Sequence, residues 1–194
     1  MVEKGEIKAN LRRRILDLRI SLDQVAYRNM SHAVAERFLA LPELREASAV
    51  LVYLPLFSRK EVDTTAMVTG LEQMGKTVLV PVIRGSELVP VYFRSGQATQ
   101  KGRYGQPEPL EQLPSQSEPD IVVLPLAAAD RFGNRIGYGG GYFDRYLAER
   151  SRRGGAVLAV GIAFSMQLVA AFEPECWDYS LDMLVTEQGV LRYH

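Results

Sequence analysis

The stretch GNRIGYGGGYFDR, residues 133–145, decides the fold of this chain because it joins a strand pattern to a helix pattern. An apolar run typical of a buried strand precedes it at residues 121–126, and residues 142–150 continue it as a predicted helix. Five of its thirteen residues are glycine, so backbone N–H groups can approach an anion without hindrance from Cβ atoms. The order strand, glycine-rich loop, helix therefore predicts a phosphate site at the start of the helix.

Two side chains of this stretch favour the same chemistry. Arg135 can bind phosphate oxygens through two N–H donors, and Asp144 can hold a magnesium ion that bridges phosphates. The stretch is not a Walker A motif, since no Gly-Lys-Ser/Thr follows, and it is not G-x-G-x-x-G, since position 142 is tyrosine. Its glycine content alone is equally compatible with a loop that only needs unusual backbone angles.

The full string is more specific than its glycine content, and it resembles the signature of the 5-formyltetrahydrofolate cyclo-ligases (5,10-methenyltetrahydrofolate synthetases). That signature runs Gly-x-Arg-Leu-Gly-Tyr-Gly-Gly-Gly-Tyr-Tyr-Asp-Arg, and here Ile136 replaces the leucine and Phe143 the second tyrosine. The likeness extends from Lys8 to Glu187. It implies ATP-dependent cyclisation of 5-formyltetrahydrofolate to 5,10-methenyltetrahydrofolate, with release of ADP and phosphate, through a phosphorylated formyl group (an imidoyl phosphate).

The resemblance also implies a set of site residues. Lys8-x-x-x-Arg12, on a helix predicted over residues 6–20, would contact the nucleotide phosphates, and Glu61-x-x-Thr64 would bind the pterin ring. The implied ATP-binding residues are Lys8, Ala9, Asn10, Leu11, Arg12, Arg135, Ile136, Gly137, Tyr138, Gly139, Gly140, Gly141, Tyr142 and Phe143. The implied substrate-binding residues are Leu54, Glu61, Tyr138 and Tyr142, the catalytic residues Arg135 and Tyr142, and the ligands of Mg²⁺ Asp144 and Asp182.

Two departures from the family pattern stand out. The family carries a His-Asp pair followed four residues later by an aspartate that helps hold magnesium. Asp178 and Asp182 match that spacing, but Trp177 stands where histidine is common. The segment from Tyr53 to Glu61 is also about two residues longer than the family pattern.

Residue chemistry alone leaves a simpler interpretation for each charged position. Lys8 and Arg12 fit a solvated basic helix, Glu61 fits a solvated loop, and Asp182 fits a polar residue at the start of a strand. Two other functions also stay open. One is a different α/β enzyme that acts on a phosphorylated sugar or a CoA thioester, and the other is a non-catalytic folate or nucleotide binder.

Composition narrows the class of protein. The formal net charge is zero, with 23 basic and 23 acidic residues, which argues against a broad nucleic-acid surface. No apolar run approaches the roughly 20 residues that span a bilayer, and no signal-peptide core is present, so we expect no membrane partner. The single cysteine, Cys176, excludes an internal disulfide framework and fits the cytoplasm.

Alternating strand and helix patterns predict an α/β fold, a three-layer αβα sandwich with a largely parallel sheet. The resemblance adds the NagB/RpiA/CoA-transferase-like fold. With 194 residues, we expect one domain over residues 1–194 that acts as a monomer. Its expected partners are small molecules: ATP as co-substrate, and 5-formyltetrahydrofolate with or without a polyglutamate tail.

Overall fold

A computed structural model describes residues 4–193, in which the chain forms four α-helices and eleven strands. The predicted domain also includes residues 1–3 and 194, which lie outside the described residues. The helices are α1 (Lys4–Ile20), α2 (Gln24–Leu39), α3 (Thr65–Gln73) and α4 (Tyr142–Arg152). The strands are β1 (Ala49–Leu51), β2 (Thr77–Arg84), β3 (Glu87–Tyr92), β4 (Thr99–Lys101), β5 (Pro107–Pro109), β6 (Ile121–Leu124), β7 (Ala128–Ala129), β8 (Arg135–Ile136), β9 (Leu158–Ile162), β10 (Met183–Val185) and β11 (Val190–Arg192).

Seven of the strands form one central sheet in the order β11-β10-β9-β6-β1-β2-β3. The five inner strands run parallel to one another, and the edge strands β11 and β3 are antiparallel to their neighbours. All residues of β1, β6 and β10 are buried. Continuous burial is typical of parallel strands that are covered on both faces, and it explains why these strands are apolar throughout their length.

Helices cover both faces of the sheet, which confirms the predicted α/β class and its mainly parallel sheet. On one face, Phe38 of α2 and Met67 of α3 join the buried cluster that includes Val50 of β1. On the other face, Leu147 of α4 joins the cluster that includes Leu51 of β1. Because adjacent residues of a strand point to opposite faces, neighbouring apolar residues of β1 serve the two separate cores.

The first helix packs across the end of the sheet. Ile15 of α1 is buried in a third cluster with Ala127, Ala128 and Ile136, which flank the loop that opens the glycine-rich stretch. The position of α1 matters for function, since it brings the basic residues of its inner face to the carboxyl edge of the parallel strands.

Within residues 4–193, no helix combines the length and the apolar character that crossing a membrane requires.

Candidate active site

A cavity of about 430 Å³ opens at the carboxyl edge of the parallel strands. This is the edge at which open α/β sheets bind their ligands, and the volume falls within the range of small-molecule sites. Most of the predicted site residues line this one cavity: Lys8, Arg12, Leu54, Glu61, Arg135, Ile136, Gly137, Tyr138, Gly139, Gly140, Gly141, Tyr142, Phe143 and Asp144.

A short hairpin leads the chain into the glycine-rich stretch. β7 pairs with β8 in an antiparallel register that places Ala129 opposite Arg135. The fully buried carboxylate of Asp130 holds the turn between these strands. It accepts hydrogen bonds from the backbone N–H of Phe132 at 2.9 Å and from both the backbone and the side chain of Asn134 at 3.0 and 2.9 Å. Asp130 thus fixes the position from which Arg135 enters the cavity.

Replacing Asp130 is expected to destabilise the fold. Asp130→Ala leaves three partly buried donors without this acceptor. An unsatisfied buried donor costs about 1–3 kcal/mol, and at the lower end of that range for each of the three we expect a loss of about 3 kcal/mol in the free energy of unfolding. Denaturant unfolding measures it, with Asp130→Asn as the matched variant that keeps one acceptor oxygen. A loss under about 1 kcal/mol in Asp130→Ala would show that these N–H groups find other acceptors.

Arg135 is the central cation of the cavity wall. It is 5% exposed, and its Nη2 donates to Asp144 Oδ1 at 2.6 Å. Burial lowers the pKa of the Arg135 guanidinium, while the carboxylates of Asp144 and Asp178 oppose that shift. The same Asp144 oxygen accepts the backbone N–H of Tyr179 at 3.1 Å. The arginine and the aspartate that the sequence singled out are therefore held together as a buried ion pair.

The glycines after Arg135 allow a backbone path that other residues would not follow easily. Gly139 has a φ of 98° and Gly141 a φ of 64°, both in the left-handed region. Gly141 is the N-cap of α4 and makes no side-chain hydrogen bond to it. The first N–H groups of the helix therefore lack a side-chain cap at the edge of the cavity, where an anion can accept them and the helix dipole favours it.

Two cations of α1 complete the basic wall. Lys8 Nζ donates to Asp178 Oδ2 at 2.6 Å and lies 3.8 Å from Glu175 Oε1. Arg12 Nε donates to the carbonyl oxygen of Gly137 at 2.7 Å. These contacts tie α1 to the glycine-rich stretch and to a segment 170 residues away. The predicted basic set of Lys8, Arg12 and Arg135 is thus gathered around one cavity.

The three residues between Lys8 and Arg12 do not line the cavity. Successive helix residues are rotated by about 100°, so Lys8 and Arg12 share a face while the residues between them point elsewhere. Asn10 is exposed and borders a shallow groove on the outer side of α1. Leu11 packs against the buried cluster of Ile15. The expectation that Ala9, Asn10 and Leu11 share the ATP contact therefore finds no support in the side-chain geometry.

Asp182, the second predicted magnesium ligand, is not among the residues that line the cavity with Asp144. Asp182 lies just before β10, and its Oδ2 accepts the backbone N–H of Ala159 near the start of β9 at 2.7 Å. Because β9 and β10 are parallel, Asp182 stands at the amino edge of the sheet, away from the carboxyl edge that holds the cavity. Asp178, four residues earlier, lines the cavity together with Asp144.

The opposite wall of the cavity is formed by residues that follow β1. Glu61 is 4% exposed, and its Oε2 accepts the Leu56 N–H at 2.8 Å. Tyr138 lines the cavity beside it. Leu54 lines the same wall. The guanidinium of Arg59, which the sequence did not single out, lies 5.6 Å from the centre of the Tyr138 ring. This wall combines apolar surface with one buried carboxylate.

Burial controls the charge of that carboxylate. It raises the pKa of Glu61 above the ordinary value of 4.5, while the hydrogen bond from the Leu56 N–H, the nearby Tyr138 hydroxyl and the charges of Arg19 and Arg59 act in the opposite direction. A buried carboxylate with nearby cations is suited to accept hydrogen bonds from a flat, polar ring that displaces water from it.

Tyr104 reaches the cavity from residues 94–119, a segment in which the sequence indicated no site residue. β4 and β5 form a hairpin there, and the Tyr104 hydroxyl lies 2.6 Å from the Tyr142 hydroxyl. Arg145 stacks against the Tyr142 ring at 4.8 Å. Burial and the Tyr104 hydrogen bond both raise the pKa of the Tyr142 hydroxyl, with that hydrogen bond as the larger cause. Tyr142 is thus linked to a hairpin on the rim.

The fold and the cavity define an α/β enzyme whose site joins a basic, glycine-rich wall to a wall with one buried carboxylate. The chain belongs to the 5-formyltetrahydrofolate cyclo-ligase family, whose family model matches residues 4–187. The 5-formyltetrahydrofolate cyclo-ligase of Haemophilus influenzae is 28% identical over 185 residues, covering 92% of this chain and 97% of the relative. Family and relatives support cyclo-ligase activity, which confirms the predicted enzyme class.

Solved structures agree with this assignment. The NMR structure of Aquifex aeolicus 5,10-methenyltetrahydrofolate synthetase superposes with a TM-score of 0.81 at 32% identity, covering 96% of this chain and 92% of that chain. The 5,10-methenyltetrahydrofolate synthetase from Mycoplasma pneumoniae has a TM-score of 0.72 at 22% identity and covers 93% of this chain and 98% of that chain. The second likeness shows the fold alone.

Proposed function

We propose that the enzyme cyclises 5-formyltetrahydrofolate to 5,10-methenyltetrahydrofolate at the expense of ATP, with release of ADP and phosphate. One observation carries this proposal: the basic glycine-rich wall and the Glu61 wall face the same cavity. A cavity with both walls can hold a triphosphate and a pterin side by side. Proximity of this kind accelerates reactions by positioning alone, without a covalent nucleophile.

The proposed reaction has two steps. The formyl oxygen attacks the γ-phosphorus of ATP, the bond between the γ-phosphorus and the ADP oxygen breaks, and an imidoyl phosphate forms. N10 of the folate then attacks the formyl carbon and loses its proton, the carbon–oxygen bond breaks, and phosphate leaves. The first step asks the protein mainly to align the phosphoryl group and to neutralise its charge.

Each wall has a part in this reaction. Lys8, Arg12 and Arg135 hold the phosphates, together with the backbone N–H groups of residues 136–141. Glu61 accepts hydrogen bonds from the pterin ring, and Leu54 packs against it. Tyr138 and Tyr142 stand between the two ligands, where Tyr142 lines the path of the transferred phosphoryl group. The presence of all these residues around one cavity supports this division of roles.

The carboxylates of the basic wall fit a magnesium ion. The hydrogen bonds of Asp144 converge on its Oδ1, and those of Asp178 converge on its Oδ2, so each aspartate can offer its other oxygen. Magnesium binds through one or two carboxylates, phosphates and water, which suits these two aspartates next to a triphosphate. When bound, the ion would neutralise charge on the phosphates. We therefore assign Asp144 and Asp178, in place of Asp182, to this role.

A pair of variants separates the two aspartates. Asp178→Asn is expected to raise the Mg²⁺ concentration for half-maximal activity about tenfold. Asp182→Asn should leave that concentration unchanged and lower the melting temperature, since it weakens the bond to the Ala159 N–H. Magnesium titrations at saturating ATP measure both. A raised magnesium requirement in Asp182→Asn alone would restore the pairing that the sequence suggested.

The function itself is tested by the absorbance of methenyltetrahydrofolate. Purified protein is incubated with 5-formyltetrahydrofolate, ATP and Mg²⁺. Parallel reactions lack either ATP or Mg²⁺. The proposal expects product only when both are present. A folded protein that binds ATP but forms no product would contradict it.

We further propose that the chain acts in the cytoplasm as a single-domain monomer, on folates with or without a polyglutamate tail.

A further inference from the structure

Arg19 of α1 is a buried arginine behind the cavity wall that contains Arg59, Glu61 and Tyr138, which is called the folate wall below. It is 2% exposed, and its Nε donates to the carbonyl oxygen of Arg59 at 2.8 Å. Its Nη1 donates to the Tyr138 hydroxyl at 2.9 Å and to the carbonyl oxygen of Leu126 at 3.3 Å. Its guanidinium carbon also lies 5.7 Å from the centre of the Tyr138 ring. Three parts of the chain thus converge on one guanidinium.

The acceptors in these bonds are two carbonyl oxygens and a hydroxyl, so the charge of Arg19 is balanced at longer range. Glu61 is the carboxylate whose ionisation it affects, since the charge of Arg19 lowers the pKa of Glu61 against the effect of burial. Tyr138 lies between the two: its hydroxyl accepts from Arg19 at 2.9 Å and donates to the carbonyl oxygen of Leu126 at 3.4 Å. Burial and, after it, the nearby charge of Glu61 raise the pKa of this hydroxyl. Arg19, Tyr138 and Glu61 therefore form one group of polar side chains that influence each other's charge.

The helix that carries Arg19 also carries the phosphate-binding cations. With about 100° per residue, Lys8, Arg12 and Arg19 fall within roughly 40° of one another around α1. Arg19 lies about 10 Å beyond Arg12 along the helix axis. One face of α1 therefore presents cations to the glycine-rich stretch near its start and to the folate wall near its end.

We infer that Arg19 is a positioning residue for the folate, which holds the hydroxyl of Tyr138 and balances the charge of Glu61. Both groups then present fixed hydrogen-bonding atoms to the pterin ring. The inference rests on the proposed function, and it assigns a role to a residue that acts only through its neighbours. A guanidinium suits this role because it donates in several fixed directions within a plane, whereas a lysine ammonium is a compact point charge.

The inference is tested by steady-state kinetics of Arg19→Met and Arg19→Lys. Arg19→Met is expected to raise the KM for 5-formyltetrahydrofolate about tenfold, an effect typical of contacting polar groups, with the KM for ATP within about twofold of wild type. Arg19→Lys keeps the charge, so its KM for 5-formyltetrahydrofolate should lie between the values of wild type and Arg19→Met. Arg14→Met, which changes an exposed arginine of the same helix, is the matched control and should leave both constants unchanged.

A double-mutant cycle with Glu61→Gln separates positioning from general stability. Once the Glu61 charge is gone, Arg19→Met should raise the folate KM by less than about threefold further. Equal increases in the KM of both substrates, or additive effects in the cycle, would overturn the inference. If Arg19→Met does not fold, Tyr138→Phe replaces it in the same cycle and must show the same selective and non-additive effect.

These outcomes are distinct from a failure of the proposed function. The absence of ATP-dependent product in the wild-type enzyme would refute the reaction itself. A wild-type enzyme that forms product, combined with Arg19 variants that show no selectivity for the folate, would refute only the role of Arg19.

Discussion

Arg135→Lys is expected to lower kcat about 100-fold, the scale on which loss of one electrostatic contact to a transition state acts. Arg135 is held against Asp144 at 2.6 Å inside the cavity wall, so its direction is fixed before the phosphates bind. A guanidinium can grip two oxygens of the transferred phosphoryl group at once, and lysine cannot reproduce that geometry. Arg135→Ala removes the charge as well and is expected to lower turnover by at least that factor.

The control for this variant lies in the same loop. Arg131 is exposed, and Arg131→Lys should leave kcat within about twofold of wild type. Melting temperatures of both variants show whether the fold persists, since Arg135→Ala leaves Asp144 without its ion-pair partner. Unchanged turnover in folded Arg135→Lys and Arg135→Ala would remove this arginine from the reaction.

Glu61→Gln is expected to raise the KM for 5-formyltetrahydrofolate roughly 10- to 150-fold, since a hydrogen bond to a charged group contributes about 1.5–3 kcal/mol. The amide keeps an oxygen that can accept the Leu56 N–H, so the local backbone should persist. The KM for ATP should not change, because the basic wall is untouched. Glu36→Gln, on the exposed surface of α2, is the matched control. An equal rise in both KM values would contradict the assignment of Glu61 to the folate.

Glu61→Gln is expected to stabilise the folded protein at neutral pH, although it weakens folate binding. Burial raises the pKa of Glu61 in the folded state, so the folded protein binds this proton more tightly than the unfolded chain does. Ionised Glu61 therefore costs stability above its folded pKa, and the cost disappears below the ordinary value of 4.5. Glu61→Gln should exceed wild type in melting temperature near pH 7 and lose that advantage near pH 4. A lower melting temperature at neutral pH would contradict this.

Local patterns predicted the parts of the site that lie close together in sequence. Residues 133–145 contain the strand end, the glycines with positive φ and the start of α4, and the structure places them in that order. The i, i+4 spacing of Lys8 and Arg12 placed both on one face of α1, and both line the cavity, while the residues between them lie elsewhere. Family spacing brought Glu61 into the set, and the structure places it in the same cavity.

Local sequence patterns could not predict the contacts between segments that are distant in sequence. The ion pair of Lys8 with Asp178 spans 170 residues, and nothing local marks Arg19 as a buried arginine. Asp182 lies at the far edge of the sheet although Asp178 lines the cavity, since four extended residues span up to about 13 Å. Tyr104 was missed because its segment is rich in residues typical of surface loops, whereas β4 and β5 hold it at the rim.

The most direct test of the proposed reaction follows the formyl oxygen. 5-Formyltetrahydrofolate labelled with ¹⁸O in the formyl group is converted with ATP and Mg²⁺, and the released phosphate is examined by mass spectrometry. Attack of the formyl oxygen on the γ-phosphorus predicts one ¹⁸O atom in each phosphate formed, because the carbon–oxygen bond breaks last. Unlabelled phosphate, formed together with methenyltetrahydrofolate, would contradict phosphoryl transfer to the formyl group.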